Sequence, residues 1–268
     1  MTLNKKKKGA TQRLDALLVE RGLAESHAKA QAMILAGEVR VDGQANVKAG
    51  ARVASDARVD IVGGASRFAS RGGEKLEGAF EDFGVSVEDK VCLDVGASTG
   101  GFTDCLLQRG ARRVYAVDVS TDQLAWKLRQ DARVTPIERN ARYLRAGDLG
   151  DAAGADIVAI DVSFISVATI LPAVVAAAGP RAEFLILVKP QFELPRAEVG
   201  AGGIVRDASL HERAIGRVRA AALAAGLSVI GVHPSRLMGA EGNQEFFLHA
   251  RGDHETVRSE DKIKEPHP

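Results

Sequence analysis

The sequence predicts an α/β protein in which a mostly parallel sheet carries helices on both faces, preceded by a small α+β unit. From residue 74 onward, short apolar segments alternate with helix-length segments, which is typical of a parallel sheet. A Gly-rich turn follows the first of these segments, at the place where such sheets bind ligands. Ahead of them, residues 12–62 hold two helical patterns and short β-like pieces, enough for only a modest core.

The composition is that of an ordinary globular protein, because 46% of the 268 residues are hydrophobic and 26% are charged. No apolar run approaches the roughly 18 residues that cross a bilayer. The lysine-rich start lacks the apolar stretch of a secretory signal. Cys92 and Cys105 lie in apolar segments without metal-ligand spacing. We therefore expect a cytoplasmic protein with reduced thiols, no metal site and no membrane role.

In the small unit, two helical patterns are followed by short β-like segments. Leu14, Leu17 and Leu18 recur at helical spacing, and Ser26 stands as an N-cap before a second helix over residues 27–36. The short β-like pieces that follow include Val39–Val41, which precedes an Asp-Gly turn.

Charge and composition predict the domain boundaries. Basic residues outnumber acidic ones in residues 1–75, whereas the remainder is mildly acidic. A basic unit favours polyanion binding, although the lysine run alone also fits a solubilising tail. The predicted segments are a basic flexible tail at 1–11, the small domain at 12–62, a linker at 63–73, the large domain at 74–251 and a disordered tail at 252–268.

The large domain shows six apolar strand patterns and four helical patterns. The predicted strands are residues 91–95, 114–119, 156–161, 184–188, 228–232 and 245–250. The predicted helices are residues 102–109, 123–129, 167–178 and 211–225.

The Gly-rich turn at residues 93–104 reads L-D-V-G-A-S-T-G-G-F-T-D. Its glycines let the backbone approach a ligand, and the helix start beyond it offers free N–H groups. The turn lacks the G-x-G-x-x-G spacing of a dinucleotide site and the G-x-x-x-x-G-K of a phosphate loop. Asp118 ends the next strand, where a carboxylate accepts both hydroxyls of a ribose.

Asp94 and Asp118, near the ends of the two strands around this turn, favour S-adenosylmethionine as the ligand, because its sulfonium and amino groups are cationic. The alternative is a turn of this type that binds no nucleotide. The candidate cofactor-binding residues are Asp94, Gly96, Ala97, Ser98, Thr99, Gly100, Gly101, Asp118 and Asn140.

Further motifs give a specific resemblance. They are S-R-G-G-E-K-L at 70–76, Q-L-A-W-K-L-R at 123–129, D-V-S-F-I-S at 161–166, V-K-P-Q-F-E at 188–193 and E-G-N-Q-E-F-F-L at 241–248. With the Gly-rich turn they resemble the TlyA family, in order over residues 12–250. The resemblance implies a ribosomal RNA 2′-O-methyltransferase with an FtsJ-like catalytic domain.

The front unit resembles the small αL RNA-binding domain, through the R-L-D-x-x-L-V-x-x-G-L-A-x-S pattern at residues 13–26. The family usually has Arg after that serine, whereas this chain has His27. The expected partner is ribosomal RNA or ribosomal subunits. The candidate RNA-binding residues are Arg13, His27, Lys29, Arg40, Lys48 and Arg71.

The resemblance also implies a catalytic tetrad of Lys75, Asp161, Lys189 and Glu245. Asp161 and Lys189 end apolar segments, and an unpaired ammonium after such a run would be costly. The hypothesis is that Lys189 accepts the hydroxyl proton, that Lys75 and burial favour its neutral form, and that both carboxylates orient the lysines. Lys75 rests on the resemblance, and Glu245 also fits an edge-strand charge.

Some alternatives stay open. Phe164 and Phe192 fit either base stacking or core packing, and the glycines at 200–203 fit either a closing loop or a connection. Trp126 is expected to pack between helix and sheet. The preferred function is S-adenosylmethionine-dependent 2′-O-methylation of ribosomal RNA, with cytidine as the target. The alternatives are an assembly factor with a vestigial site and a membrane-lysing hemolysin.

Overall fold

The computed structural model describes residues 11–35, 37–44, 48, 50–61, 67–150 and 154–252. The chain divides into two compact units, Met1–Ser66 and Arg67–Pro268. Most of both predicted tails, residues 1–10 and 253–268, lies outside the described residues. The remaining tail positions, Thr11 and Gly252, belong to strands.

The first unit contains two short helices and two antiparallel strand pairs. Its elements are β1 (Thr11–Arg13), α1 (Leu14–Glu20), α2 (His27–Leu35), β2 (Val39–Val41), β3 (Arg52–Ala54) and β4 (Val59–Ile61). β1 pairs with β3, and β2 pairs with β4. Leu14 and Leu18 of α1 pack with Ala30 and Ile34 of α2, which gives the small core that the leucine spacing predicts.

The second unit is built on a seven-stranded sheet in the order β10-β11-β9-β8-β5-β6-β7. β11 is antiparallel to both β9 and β10, and the other neighbours are parallel. The strands are β5 (Val91–Val95), β6 (Arg113–Asp118), β7 (Val134–Glu138), β8 (Ala155–Ile160), β9 (Ala178–Val188), β10 (Leu227–Pro234) and β11 (Phe246–Gly252).

Helices cover both faces of this sheet, which confirms the predicted fold class. They are α3 (Arg71–Phe83), α4 (Gly101–Gln108), α5 (Trp126–Arg129), α6 (Val167–Ala177), α7 (Pro190–Glu193) and α8 (Ala208–Ala224). Successive side chains of a strand point to opposite faces. Accordingly, Leu93 of β5 joins the cluster formed with α6 and α8, whereas Cys92 joins the cluster formed with α3 and α4.

The segment predicted as a linker, residues 63–73, is only partly a connection. Residues 63–66 lie outside the described residues, and Phe68 is buried in the second unit's core. Arg71–Phe83 is helical, so the last three linker positions belong to α3. The paired Gly72 and Gly73 obscure this helix because glycine disfavours helices. A Cβ on Gly73 would lie 2.4 Å from Cγ of Phe68, so packing requires glycine there.

Two other expectations need correction. β7 was not predicted because it contains Pro136, which removes a backbone donor; the strand lies at the sheet edge, where proline is tolerated. Trp126 does not pack between helix and sheet but is 69% exposed, with Arg129 over its ring. The short α5 instead packs through Leu128, which is buried.

Candidate active site

The Gly-rich turn joins β5 to α4 and depends on two glycines. Gly96 has φ of 89°, and a Cβ there would lie 2.2 Å from the carbonyl oxygen of Asp161. Gly100 has φ of 93°, and its Cβ would lie 2.2 Å from Cδ1 of Leu128. Both positions therefore exclude any side chain, through backbone conformation and through space. The first of them brings the cofactor turn against the backbone of a predicted tetrad residue.

Asp94 lies at the end of β5 with no solvent exposure. Its Oδ2 accepts a hydrogen bond from Oγ1 of Thr103 at 2.6 Å, while Oδ1 has no hydrogen-bond partner among the described residues. Burial raises the pKa of this carboxyl to about 7, and the nearby Asp161 and Asp118 contribute in the same direction. A buried acceptor without a partner favours a cationic or hydrogen-bond-donating ligand beside it.

A cleft of about 490 Å³ opens beside the turn. Four of the nine predicted cofactor residues line it: Gly96, Ser98, Asp118 and Asn140. The other five, Asp94, Ala97, Thr99, Gly100 and Gly101, belong to β5, the turn and the start of α4. The carboxylate of Asp118 accepts the backbone N–H groups of Ser98 at 2.9 Å and of Ser120 at 3.3 Å, so it is fixed in orientation at the cleft wall.

The predicted tetrad forms two ion pairs. Nζ of Lys75, on α3, lies 2.5 Å from Oε2 of Glu245, and both side chains are buried. Lys189 is also buried and forms an ion pair with Oδ1 of Asp161. Each buried ammonium therefore has a carboxylate partner, as the cost of an unpaired buried charge requires.

Sheet register brings the two ion pairs to the same edge. Asp161 follows β8 and Lys189 follows β9, and these strands are parallel neighbours. β11 is antiparallel to β9 with Phe246 opposite Val188, so Glu245 and Lys189 both lie one residue beyond that pair. Glu245 thus immediately precedes β11 rather than beginning it. Asp161 also lines the cleft, which connects the tetrad to the cofactor turn.

The FtsJ-like methyltransferase model matches residues 68–252, and the S4 domain model matches residues 12–59. The 16S/23S rRNA (cytidine-2′-O)-methyltransferase TlyA of Mycobacterium tuberculosis is 47% identical over 241 residues, which cover 89% of each chain. The chain belongs to the TlyA family of FtsJ-like methyltransferases. The predicted resemblance is thereby confirmed, and so are the enzyme class and the S-adenosylmethionine cofactor.

Other TlyA-family relatives carry hemolysin names. Hemolysin A of Brachyspira hyodysenteriae is 42% identical over 88% of this chain and 98% of its own. The solved structure of a hemolysin-named protein from Streptococcus thermophilus has a TM-score of 0.71 and 42% identity, over 90% of this chain and 88% of that one. In the described part of this chain, no helix is long and apolar enough to span a membrane.

Several polar contacts around the Gly-rich turn and the tetrad were not predicted from the sequence. Ser163 accepts a hydrogen bond from Nζ of Lys189 at 2.9 Å, and Thr103 donates to Asp94. Asp104 is buried and accepts from the backbone N–H of Ala69 at 2.7 Å and from Nζ of Lys127 at 2.6 Å. Thr103 and Asp94 lie in the same quoted motif, but the spacing between them does not show that their side chains meet. The partners of Ser163 and Asp104 are distant in sequence, so spacing gave no signal for those contacts.

Aromatic side chains and a glycine loop flank this site. Phe164 is 92% exposed and its ring centroid lies 5.2 Å from that of Phe192, so Phe164 is not a core residue. The glycine loop at 200–203 is connected to the Glu245 segment through the buried Asn243. The side chain of Asn243 accepts a hydrogen bond from the backbone N–H of Val205 and donates one to the carbonyl oxygen of Gly203, each at 2.9 Å.

The six predicted RNA-binding residues fall in both units. In the first unit His27, Lys29, Arg40 and Lys48 are exposed. Arg13 is held by the buried Asp15 at 2.6 Å, and this contact keeps the pKa of Asp15 well below its usual range. Arg71 stands at the start of α3 and donates to the carbonyl oxygen of Met238 at 3.5 Å.

Proposed function

We propose that this enzyme transfers a methyl group from S-adenosylmethionine to the ribose 2′-hydroxyl of a cytidine in ribosomal RNA, acting on ribosomal subunits in the cytoplasm. This proposal rests on the two lysine–carboxylate ion pairs at one edge of the sheet, where Asp161 of the second pair also lines the cleft beside the Gly-rich turn. The name of the M. tuberculosis relative and the S4 domain match support an RNA acceptor.

The cofactor site fits S-adenosylmethionine on this chain's own chemistry. The unpaired Oδ1 of Asp94 suits the cationic methionine end, and the fixed carboxylate of Asp118 suits the ribose hydroxyls. Asn140 and the backbone around Ser98 complete the cleft wall. The bound cofactor supplies an electrophilic methyl group on a sulfonium, whose sulfur leaves as a neutral thioether.

The tetrad residues prepare the acceptor. A ribose hydroxyl is a weak nucleophile, so it needs a base and close placement. In the proposed mechanism, Lys189 first releases its ammonium proton to solvent, and its neutral Nζ then accepts the 2′-hydroxyl proton while the ribose oxygen bonds to the methyl carbon. Asp161 stabilises the ammonium that forms, and Ser163 fixes its position. Glu245 holds the ammonium of Lys75 in place, and this ammonium is proposed to donate hydrogen bonds to the ribose oxygens.

The front unit is proposed to deliver the RNA. We take residues 12–62 as the RNA-binding domain, and we start the catalytic domain at Arg67 because Phe68 is part of its core. Exposed Lys29, Arg40 and Lys48 suit phosphate contacts, which position RNA without reading its sequence. Arg13 and His27 are proposed as further contacts on this unit, and Arg71 as one beside the tetrad.

A methyl-transfer assay with Lys189→Ala tests this function. The parent, with radiolabelled S-adenosylmethionine and either intact subunits or naked ribosomal RNA, is expected to label ribose. Lys189→Ala is expected to lower the single-turnover rate by about 100-fold or more, because general-base catalysis contributes that much. The matched control is Lys90→Ala, which removes an exposed lysine away from the cleft.

Two outcomes would contradict the proposal. Absent transfer to every ribosomal substrate, with RNA binding retained, would favour the assembly factor. Leakage from liposomes on addition of the purified protein would favour the hemolysin.

A further inference from the structure

The carboxylate of Glu193 joins the two segments that carry the Lys189–Asp161 ion pair. Glu193 ends α7, four residues after Lys189, and is 2% exposed. Its Oε2 accepts a hydrogen bond from Oγ of Ser166 at 2.5 Å, and its Oε1 accepts the backbone N–H of Val167 at 2.8 Å. Both partners lie where the loop at 161–166 enters α6. The loop is thus tied to the Lys189 segment at both of its ends.

The loop at 161–166, which this contact holds, contains a residue in an uncommon backbone conformation. Phe164, in its middle, has φ of 66°, which is uncommon for a residue with a side chain and persists only when surrounding contacts hold it. Ser163, just before it, accepts the hydrogen bond from Lys189. Without a brace at its far end, the loop would be free to relax and carry Ser163 and Asp161 away from Nζ of Lys189.

The surroundings of Glu193 suit a braced carboxylate. Burial raises its pKa, while the hydrogen bonds from Ser166 and Val167 act in the opposite direction. The N-terminus of α6, an 11-residue helix, also favours negative charge at this point. Glu193 is not among the cleft-lining residues, so an effect on chemistry must pass through the loop.

We propose that Glu193 is a positioning residue for methyl transfer: its bonds to Ser166 and Val167 fix the 161–166 loop so that Asp161 and Ser163 hold Nζ of Lys189. The proposal rests on the proposed function and extends it to a residue outside the tetrad.

Single-turnover kinetics of Glu193→Ala and Glu193→Gln test the brace. Glu193→Ala is expected to lower the rate about 10- to 100-fold, since a shift of about 1 Å at a reacting group has that effect, with the KM for RNA unchanged. Glutamine keeps an acceptor for Val167 and a polar contact to Ser166, so Glu193→Gln is expected to stay near the parent rate. A Glu193→Gln rate as low as that of the alanine variant would overturn the proposal.

A double-mutant comparison separates positioning from general destabilisation. If Glu193 acts through Lys189, Glu193→Ala adds little in a Lys189→Ala background, whereas independent effects multiply and would overturn the proposal. Glu183→Ala is the matched control, because Glu183 lies on β9, the strand that leads to Lys189, and its carboxylate hydrogen-bonds to His249 and Arg251 instead. This control is expected to keep the parent rate.

Amide hydrogen exchange tests the brace without any enzyme assay. Exchange at the Val167 amide and in the 161–166 loop is expected to accelerate in Glu193→Ala and to match the parent in Glu193→Gln. Unchanged exchange in the alanine variant would overturn the brace whatever the kinetics show. A parent that does not methylate ribosomal RNA would contradict the proposed function, and the exchange result would still decide the brace.

Discussion

Asp94 is completely buried, and its Oδ1 has no hydrogen-bond partner within the described part of the chain, so the charge of this carboxyl depends on what binds beside it. Because burial raises its pKa to about 7, the ligand-free carboxyl is partly protonated near neutral pH. A cationic cofactor favours the carboxylate form. Binding below pH 7 must therefore expel a proton, whereas binding well above pH 7 does not.

We expect the affinity for S-adenosylmethionine to rise with pH up to about 7 and then level off, with a slope of at most about tenfold per pH unit. Asp94→Asn is expected to bind more weakly and without this slope, because asparagine does not titrate. Calorimetric titration at pH 6, 7 and 8 measures both effects. An equally steep slope in Asp94→Asn would show that another group titrates. Asp89→Asn, which changes an exposed carboxylate, is the control.

At the scale of elements, the turn between β5 and α4 packs against the backbone of Asp161 at Gly96. We expect Gly96→Ala to abolish S-adenosylmethionine binding, because its Cβ would lie 2.2 Å from the Asp161 carbonyl oxygen. Gly150→Ala is a matched control with φ of 64° and open space around the Cβ position. It should lower the free energy of unfolding by only about 1–2 kcal/mol, the backbone cost of a left-handed residue.

Denaturant titration and cofactor binding of both glycine variants provide the measurement. We expect the free energy of unfolding to fall more in Gly96→Ala than in Gly150→Ala, because the first variant adds a clash with the Asp161 carbonyl oxygen to the backbone cost. Cofactor affinity near the parent value in Gly96→Ala would contradict the geometry of the turn.

Elements with strong apolar signals were predictable, and those built on special local chemistry were not. β5 and residues 184–188 of β9 were predicted as strands because both faces are buried there, whereas the more exposed first half of β9 was not predicted. α3 was not predicted, because Gly72 and Gly73 in its first turn disfavour a helix and the reason for Gly73, close packing against Phe68, is not visible in the sequence pattern. β7 was hidden by Pro136, since only the finished sheet reveals that this strand lies at an edge.

The candidate site divides in the same way. Asp161 and Lys189 came from the family resemblance and were also supported by position, because both end apolar segments that parallel strands bring to one edge. Lys75 came only from the family resemblance, since its partner Glu245 lies 170 residues away and only the folded sheet joins them. Glu193 stood inside a quoted motif, but its role depends on a contact with α6 that the sequence does not express.

At the scale of the whole molecule, the chain combines an S4 domain with a methyltransferase domain of the TlyA family. The first unit presents exposed cations on a small core, and the second carries the cleft and both ion pairs. In the proposed division of labour, the first unit supplies RNA affinity and the second supplies the chemistry. Affinity for RNA is therefore expected to fall with rising salt, as phosphate contacts require.

Identification of the methylated nucleoside tests the central claim most directly. Ribosomal RNA treated with the enzyme and isotopically labelled S-adenosylmethionine is digested to nucleosides, which are separated and analysed by mass spectrometry. We expect label in 2′-O-methylcytidine with the parent and with Lys90→Ala, and no such label with Lys189→Ala. Label on a base, or 2′-O-methylcytidine formed equally by Lys189→Ala, would contradict it.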